Sequence, residues 1–244
     1  MKIDLDIIIP VYLEQDNILE TLAGITKEIK ILSINYRILI IYDFDNDPTI
    51  SIIKKNSLDS NILLIKNRYS NFNGAIKTAY EHLQASAAIV YTAEDHNNFK
   101  TINEMFLKYK EGFDVVCASR FIDGIDYYSS SEPLIKKSLV RLSSVLIKKF
   151  TDINCDDPTN GFRLFSNEII RTIPIRSKKG FTFAIELLFK SFYNSYKITQ
   201  VAAKSPIRKY GKSKFKSSTI LFYIPWFLLL LFFGLKKKIL SRFR

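Results

Sequence analysis

Short apolar runs, separated by stretches with apolar residues three or four apart, organise the first 120 positions. Asp6–Val11 (DIIIPV), Arg37–Tyr42 (RILIIY), Ile62–Lys66 (ILLIK), Ala88–Thr92 (AIVYT) and Val115–Ser119 (VVCAS) have the length and composition of strands buried on both faces. Between them, Asn17–Leu32, Pro48–Lys54, Gly74–Ala85 and Thr101–Tyr109 carry the helical period. Strand–helix alternation of this kind implies right-handed crossovers and a mostly parallel sheet, so the expected fold class is α/β. In open α/β sheets the ligand sits beyond the carboxyl ends of the strands. Those positions read Pro10–Glu14, Asp43–Asp47, Asn67–Gly74, Ala93–His96 and Ser119–Arg120.

Acids follow three of these five strands. Carboxylates there suit a metal, a ribose or a base edge, although helix caps and first turns also favour them. Asp47, just before Pro48-Thr49, reads as such a cap. Three acidic strand ends on one sheet edge point to a site. No phosphate loop competes, since G-x-x-x-x-G-K-[ST] and G-x-G-x-x-G are both absent from the sequence.

Beyond residue 120 the pattern is less regular. A turn-rich loop, Asp123–Pro133, leads into Leu134–Phe150. There Leu139, Leu142, Val145 and Leu146 alternate with Lys and Arg in an amphipathic basic helix, read as a solvated face or else a membrane or phosphate contact. Asp156–Arg163 is a polar turn entering a short strand, and Phe183–Tyr193 is a helix. Glu186, inside that apolar helix, is either a partnered core acid or a site residue.

Charge changes the picture. The chain of 244 residues carries +12, yet Glu186 is its last acid and 13 Lys and Arg follow, which leaves residues 1–186 at −1. A nucleic-acid footprint would line a face of the fold, so this distribution argues against one. A basic tail with an apolar run points to an anionic membrane surface. Between Lys216 and Lys236 lie 19 uncharged residues. They would span about 28 Å as a helix, just short of a bilayer core. Pro225 inside the run is expected to kink it. The expected organisation is a catalytic domain over 1–216 and a hydrophobic segment over 217–244, either a short span or an in-plane helix. The N-terminal MKIDLDIIIPVY reads as a strand rather than a signal peptide, so the catalytic face is expected to be cytoplasmic. Cys117 and Cys155 lack metal-ligand spacing and read as reduced core thiols.

Seven pieces fall in one order: Ile8–Ile18 (IIPVYLEQDNI), Tyr42–Thr49 (YDFDNDPT), Asn73–Ala79 (NGAIKTA), Cys117–Phe121 (CASRF), Asp157–Phe165 (DPTNGFRLF), Gly180–Leu188 (GFTFAIELL) and Arg208–Phe215 (RKYGKSKF). Together they resemble the family 2 glycosyltransferases, above all the polyprenyl-phosphate sugar synthases related to dolichyl-phosphate mannosyltransferase. Leu13 stands where that family has Asn, and Tyr42 where it has the first of two acids. Its metal motif falls on Thr92-Ala93-Glu94-Asp95-His96, with Thr92 in the first acid's place.

The resemblance implies a GT-A fold that binds a UDP- or GDP-linked sugar across the strand ends. On that basis Pro10, Tyr12, Glu14 and Asp43 hold the nucleoside, and Lys77, Ala93 and Lys214 complete the donor site. Glu94 and His96 would hold a divalent cation, Mg²⁺ or Mn²⁺. Arg120 and Arg208 would stabilise the departing diphosphate, and Asp157 would contact or activate the acceptor. The implied reaction is a single displacement with inversion onto a polyprenyl phosphate or another lipid-linked acceptor. Two other readings remain: a transferase extending a glycan or glycolipid, and a catalytically weakened sugar-nucleotide-binding homologue.

Overall fold

Alternate residues of the central strands face opposite ways, and each set meets its own layer of helices. In a computed structural model describing residues 2–56, 59–122, 125–126, 134–206 and 221–241, the strands are β1 (Leu5–Val11), β2 (Tyr36–Tyr42), β3 (Ile62–Lys66), β4 (Ala87–Val90), β5 (Val115–Ser119), β8 (Arg163–Ser166) and β9 (Ile198–Ala202). They form one seven-stranded sheet in the order β3-β2-β1-β4-β8-β5-β9. A two-stranded ribbon, β6 (Phe121–Ile122) and β7 (Ile125–Asp126), stands apart. Leu5, Ile7, Ile9, Ile38 and Ile40 pack under α1 (Ile18–Leu32), α2 (Pro48–Lys55) and α4 (Phe99–Lys110). Ile8, Leu39, Ile41, Val115 and Cys117 pack under α3 (Asn71–Glu81), α6 (Asn167–Thr172) and α7 (Thr182–Tyr193). This is the three-layer arrangement in which a sheet buries both faces.

Only β8 runs against the rest, pairing antiparallel with β4 and β5. Its reversed direction brings the loop before it, residues 156–162, to the same edge as the carboxyl ends of the other six strands. The expectation that every apolar run is buried on both faces fails at β3. It is an edge strand whose residues are half-buried or exposed. Pro10, by contrast, lies beyond the Leu5–Ile8 stretch that pairs with β4, so its missing N–H removes no ladder bond on that side.

The remaining helices, α5 (Leu134–Phe150) and α8 (Ile224–Ser241), pack against each other, and α8 also leans on α7. Gly234 makes the contact possible: a Cβ there would stand 2.8 Å from the Phe150 carbonyl oxygen. Phe233 meets the edge of Tyr193 at 5.1 Å, and Lys237 Nζ donates to the Phe192 carbonyl at 2.8 Å.

One expectation changes here, and two open readings narrow. Pro225 sits in the first turn of α8, where it disturbs no helical bond, so it starts the helix instead of kinking it. Among the described residues no helix is long and apolar enough to cross a membrane. On α5 the core-facing residues are Val140, Ser144 and Ile147, whereas Leu139, Leu142 and Val145 are exposed.

Glu186 is a partnered core acid. Its carboxylate accepts from the backbone N–H groups of Arg176 and Ser177, each at 2.6 Å, and pairs with Lys190 Nζ at 2.5 Å. Cys117 and Cys155 are free and buried, as read from their spacing.

Candidate active site

The chain leaving β1 is held by the start of α2. Asp47 caps that helix, its Oδ1 accepting from the Thr49 N–H at 2.9 Å, while its Oδ2 accepts from the Leu13 N–H at 3.0 Å. Thr49 Oγ1 takes the next amide, Glu14 N–H, at 2.8 Å. One buried cap therefore fixes two loops. Leu13 accepts a left-handed backbone (φ 58°) to make this turn. Tyr12 is exposed and sets its ring against the edge of Phe44 at 5.6 Å. Glu14 Oε2 accepts from Asn17 Nδ2 at 2.9 Å. Asp43, directly after β2, accepts from Asn67 Nδ2 at 2.6 Å. Asn67 directly follows β3, so two adjacent strand ends supply a hydrogen-bonded pair.

The turn after β4 is held from α1. Thr21 Oγ1 donates to the buried Ala93 carbonyl at 2.6 Å. Asp95 is buried and spends its carboxylate on the Asn97 N–H and the Asn98 amide. His96 turns its ring toward α1, with Nδ1 3.6 Å from Glu20 Oε2 and the side chain only 4% exposed. Both of its ring nitrogens are enclosed without a hydrogen-bond partner. Among the described residues no group of three or more His, Cys, Asp or Glu side chains is placed to hold a metal ion. Glu94 offers the oxygen that Mg²⁺ and Mn²⁺ prefer, but a nitrogen shut against Glu20 is not a ligand as placed. The donor set of this turn thus does not fit a resident cation on Glu94 and His96.

On the other side of the site, Arg120 and Asp157 form a two-pronged ion pair. Arg120 Nε donates to Asp157 Oδ2 at 2.6 Å and Nη2 to Oδ1 at 3.0 Å, and Asp157 is fully buried. Burial pushes the Asp157 carboxyl up, but the charge and hydrogen bonds of Arg120, with Arg163 behind, hold it below the usual value. A carboxylate so committed orients an arginine and is a poor proton acceptor. Arg163 itself is wholly buried and, among the described residues, donates only to main-chain carbonyls, those of Asn160, Ala184, Asp157 and Pro158. It moulds the loop that presents Asp157.

Lys77 is half-buried on α3, in the turn after Gly74. A Cβ on Gly74 would stand 2.9 Å from the Tyr69 backbone carbon, so the close approach of that loop requires glycine. Arg208 and Lys214 lie outside the described residues. The structure brings Tyr12, Glu14, Asp43, Ala93, Glu94, Arg120 and Asp157 to one sheet edge. Thr21, Asn67 and Asn98 hold that edge through contacts between residues distant in sequence, a signal that spacing does not carry.

A family model for glycosyl transferase family 2 matches residues 6–173. The chain belongs to glycosyl transferase family 2. It is 28% identical over 212 residues to the undecaprenyl-phosphate 4-deoxy-4-formamido-L-arabinose transferase of Salmonella choleraesuis, covering 86% of this chain and 62% of that protein. It is 26% identical over 175 residues to the uncharacterized glycosyltransferase sll0501 of Synechocystis sp., covering 71% of this chain and 53% of the relative. The chain thus spans under two thirds of either relative.

Family 2 membership agrees with the architecture. Glucosyl-3-phosphoglycerate synthase from Mycobacterium tuberculosis, crystallised with Mn²⁺, UDP and glucosyl-3-phosphoglycerate, superposes with a TM-score of 0.68 at 12% identity, covering 93% of this chain and 80% of that one. The same synthase with Mg²⁺ and UDP gives 0.65 at 12% identity, covering 93% and 79%. The fold is GT-A.

Proposed function

We propose that this family 2 chain is an inverting glycosyltransferase that moves a sugar from a UDP- or GDP-linked donor to a polyprenyl phosphate at the cytoplasmic face of a membrane. The observation that carries the reading is the placement of two carboxylate acceptors, Glu14 and Asp43, with the Arg120–Asp157 ion pair on one edge of a GT-A sheet.

In this reading Asp43 and Glu14 accept from the base or ribose, and Tyr12 lies along the base. The Ala93–Glu94 turn borders the diphosphate. Lys77 contributes charge from α3, with Arg208 and Lys214 as the further cations. Arg120, oriented by Asp157, presents a fixed positive charge where negative charge develops as the nucleoside diphosphate departs. The acceptor attacks the anomeric carbon from the face opposite the leaving group, which inverts that centre.

The state of Asp157 favours a phosphate acceptor over a sugar hydroxyl. A lipid phosphate is anionic at pH 7 and attacks without a base, whereas a hydroxyl needs a carboxylate able to take its proton. The name of the Salmonella relative, an undecaprenyl-phosphate sugar transferase, supports the same choice.

The exposed apolar residues of α5 and α8 give the membrane reading its form. Leu139, Leu142 and Val145 on α5 and Leu228, Phe232 and Leu235 on α8 are solvent-exposed, and neither helix contains an acid. Lys148, Lys149 and Lys236–Lys238 accompany them. An apolar face with a basic border suits a helix pair lying in the interface of an anionic leaflet. Calorimetric titration with UDP and GDP tests the donor half. Wild-type protein should bind one of them, and Asp43→Ala should weaken that binding about ten-fold or more, the worth of hydrogen bonds to a charged group.

A further inference from the structure

At the end of β2 a carboxylate meets an amide whose orientation is fully determined. Of the acids in that loop, Asp45 pairs with Lys66 Nζ and Asp47 caps α2, so Asp43 is the acceptor the loop can offer a ligand. Asn67, half-buried after β3, places its backbone N–H on the Tyr42 carbonyl at 2.8 Å. Its Nδ2 donates to Asp43 Oδ1 at 2.6 Å and to the Asn71 carbonyl at 3.1 Å. Its Oδ1 accepts from the Tyr69 N–H at 3.1 Å and from the Thr78 hydroxyl at 3.0 Å. A carboxamide has two N–H donors and two acceptor positions, and all are used. The amide cannot be turned round, because a carboxylate and a carbonyl only accept and a backbone N–H only donates. The buried Thr78 hydroxyl is itself directed, since it accepts from the Arg68 N–H at 3.0 Å.

Asp43 Oδ1 is thereby engaged from the protein side, and Oδ2 is the oxygen with which Asp43 meets a ligand. Phe44, the next residue, sets its ring against Tyr12, so the carboxylate stands beside the aromatic pair that would bear the base. Uracil carries a single ring N–H between two carbonyls. Guanine carries a ring N–H and an exocyclic amine side by side, a pattern that calls for both oxygens of one carboxylate. We propose that Asn67 is a positioning residue that sets donor specificity: by occupying Oδ1 it makes Asp43 a one-oxygen acceptor, which selects a uracil over a guanine nucleotide. This inference rests on the donor reading proposed above and narrows it. Guanine would have to share Oδ1 with the Asn67 amide or leave its amine unpaired, and a donor desolvated without a partner is costly.

The test is calorimetry of the full chain with UDP, GDP and CDP, with thermal midpoints to check folding. Ratios of affinities on one sample cancel any general loss of folded protein. Wild type should bind UDP about ten-fold or more tighter than GDP, the scale of one charge-assisted contact. Asn67→Ala frees Oδ1 and should bring the two within about three-fold. Asp43→Asn reads the orientation with Asn67 in place. Asn67 Nδ2 would hold the carbonyl of the substituted side chain and so turn its NH₂ toward the base. Cytosine has an unprotonated ring nitrogen where uracil has its N–H, so this variant should prefer CDP to UDP by about three-fold or more. Wild type that fails to favour UDP over GDP would overturn the specificity role and leave the donor reading intact. So would an Asp43→Asn variant that still prefers UDP to CDP, or a folded Asn67→Ala with an unchanged ratio of UDP to GDP affinity. Wild type that binds neither UDP nor GDP would overturn both.

Discussion

Arg120 and Asp157 are 37 positions apart in sequence, yet the guanidinium closes on the carboxylate with Nε–Oδ2 at 2.6 Å and Nη2–Oδ1 at 3.0 Å. The Arg120 backbone N–H adds a third contact to the same Oδ2 at 3.3 Å. The pairing arises because β5 ends at Ser119 while the antiparallel β8 begins at Arg163, so the loop before one strand faces the residue after the other.

Asp157→Ala breaks a two-pronged buried ion pair by removing one partner and should destabilise the protein by about 3–5 kcal/mol in denaturant unfolding. Asp157→Asn should fold but lose sugar transfer while keeping nucleotide affinity. Full transfer activity in Asp157→Asn would remove the pair from the site.

The same pair sets an acid limit. The folded-state value of Asp157 lies below its ordinary 3.8. Its contribution to stability is therefore complete above that ordinary value and drains away as pH falls through the lower, folded one. Acid unfolding followed below pH ~4 should lose this component in Asp157→Asn, and identical acid limbs for both proteins would contradict the ion pair.

Leu13 occupies a left-handed conformation (φ 58°) that suits asparagine or glycine better than leucine. Leu13→Asn should raise stability by about 1 kcal/mol, seen as an increased thermal midpoint, because it removes local strain and an exposed apolar side chain. A lowered midpoint would mean that the Leu13 side chain makes a contact worth more than the strain.

The outward apolar residues of α5 make a separable prediction. Leu142→Glu with Val145→Glu should leave the thermal midpoint near wild type, since both side chains are exposed. Cosedimentation with phosphatidylglycerol-rich vesicles should fall about ten-fold or more, given roughly 1.5 kcal/mol or more for each large apolar side chain inserted. Unchanged vesicle binding would confine any membrane contact to α8.

Much of the frame was legible in the order of residues. β1, β2 and β5 announce themselves because their apolar runs are buried on both faces, and Asp47 announces its cap because Pro48 follows it. β8 and β9 are four and five residues long, and direction within a sheet leaves no mark on such short segments. Which face of α5 turns inward was not legible for a related reason. Val140 and Ile147 share the helix with Leu139, Leu142 and Val145, and only packing against α8 selects which stripe turns inward. Motif order brought Asp43, Glu94, Arg120 and Asp157 into view, but not their partners. Asn67 for Asp43, Asn98 for Asp95 and Glu20 for His96 are chosen by folding; Asn67 and Asn98 sit in loops, where polar residues carry no periodicity, and Glu20 sits on the polar side of α1.

The central claim is transfer itself. It is tested most directly by incubating the full chain with radiolabelled UDP- and GDP-sugars and a short polyprenyl phosphate in detergent, then following label into the lipid phase. The account predicts that one donor yields a lipid-linked sugar of inverted anomeric configuration, and that Asp157→Asn and Arg120→Ala yield none. Nucleotide binding without label in any lipid, across all donors and in the presence or absence of Mg²⁺ and Mn²⁺, would contradict it.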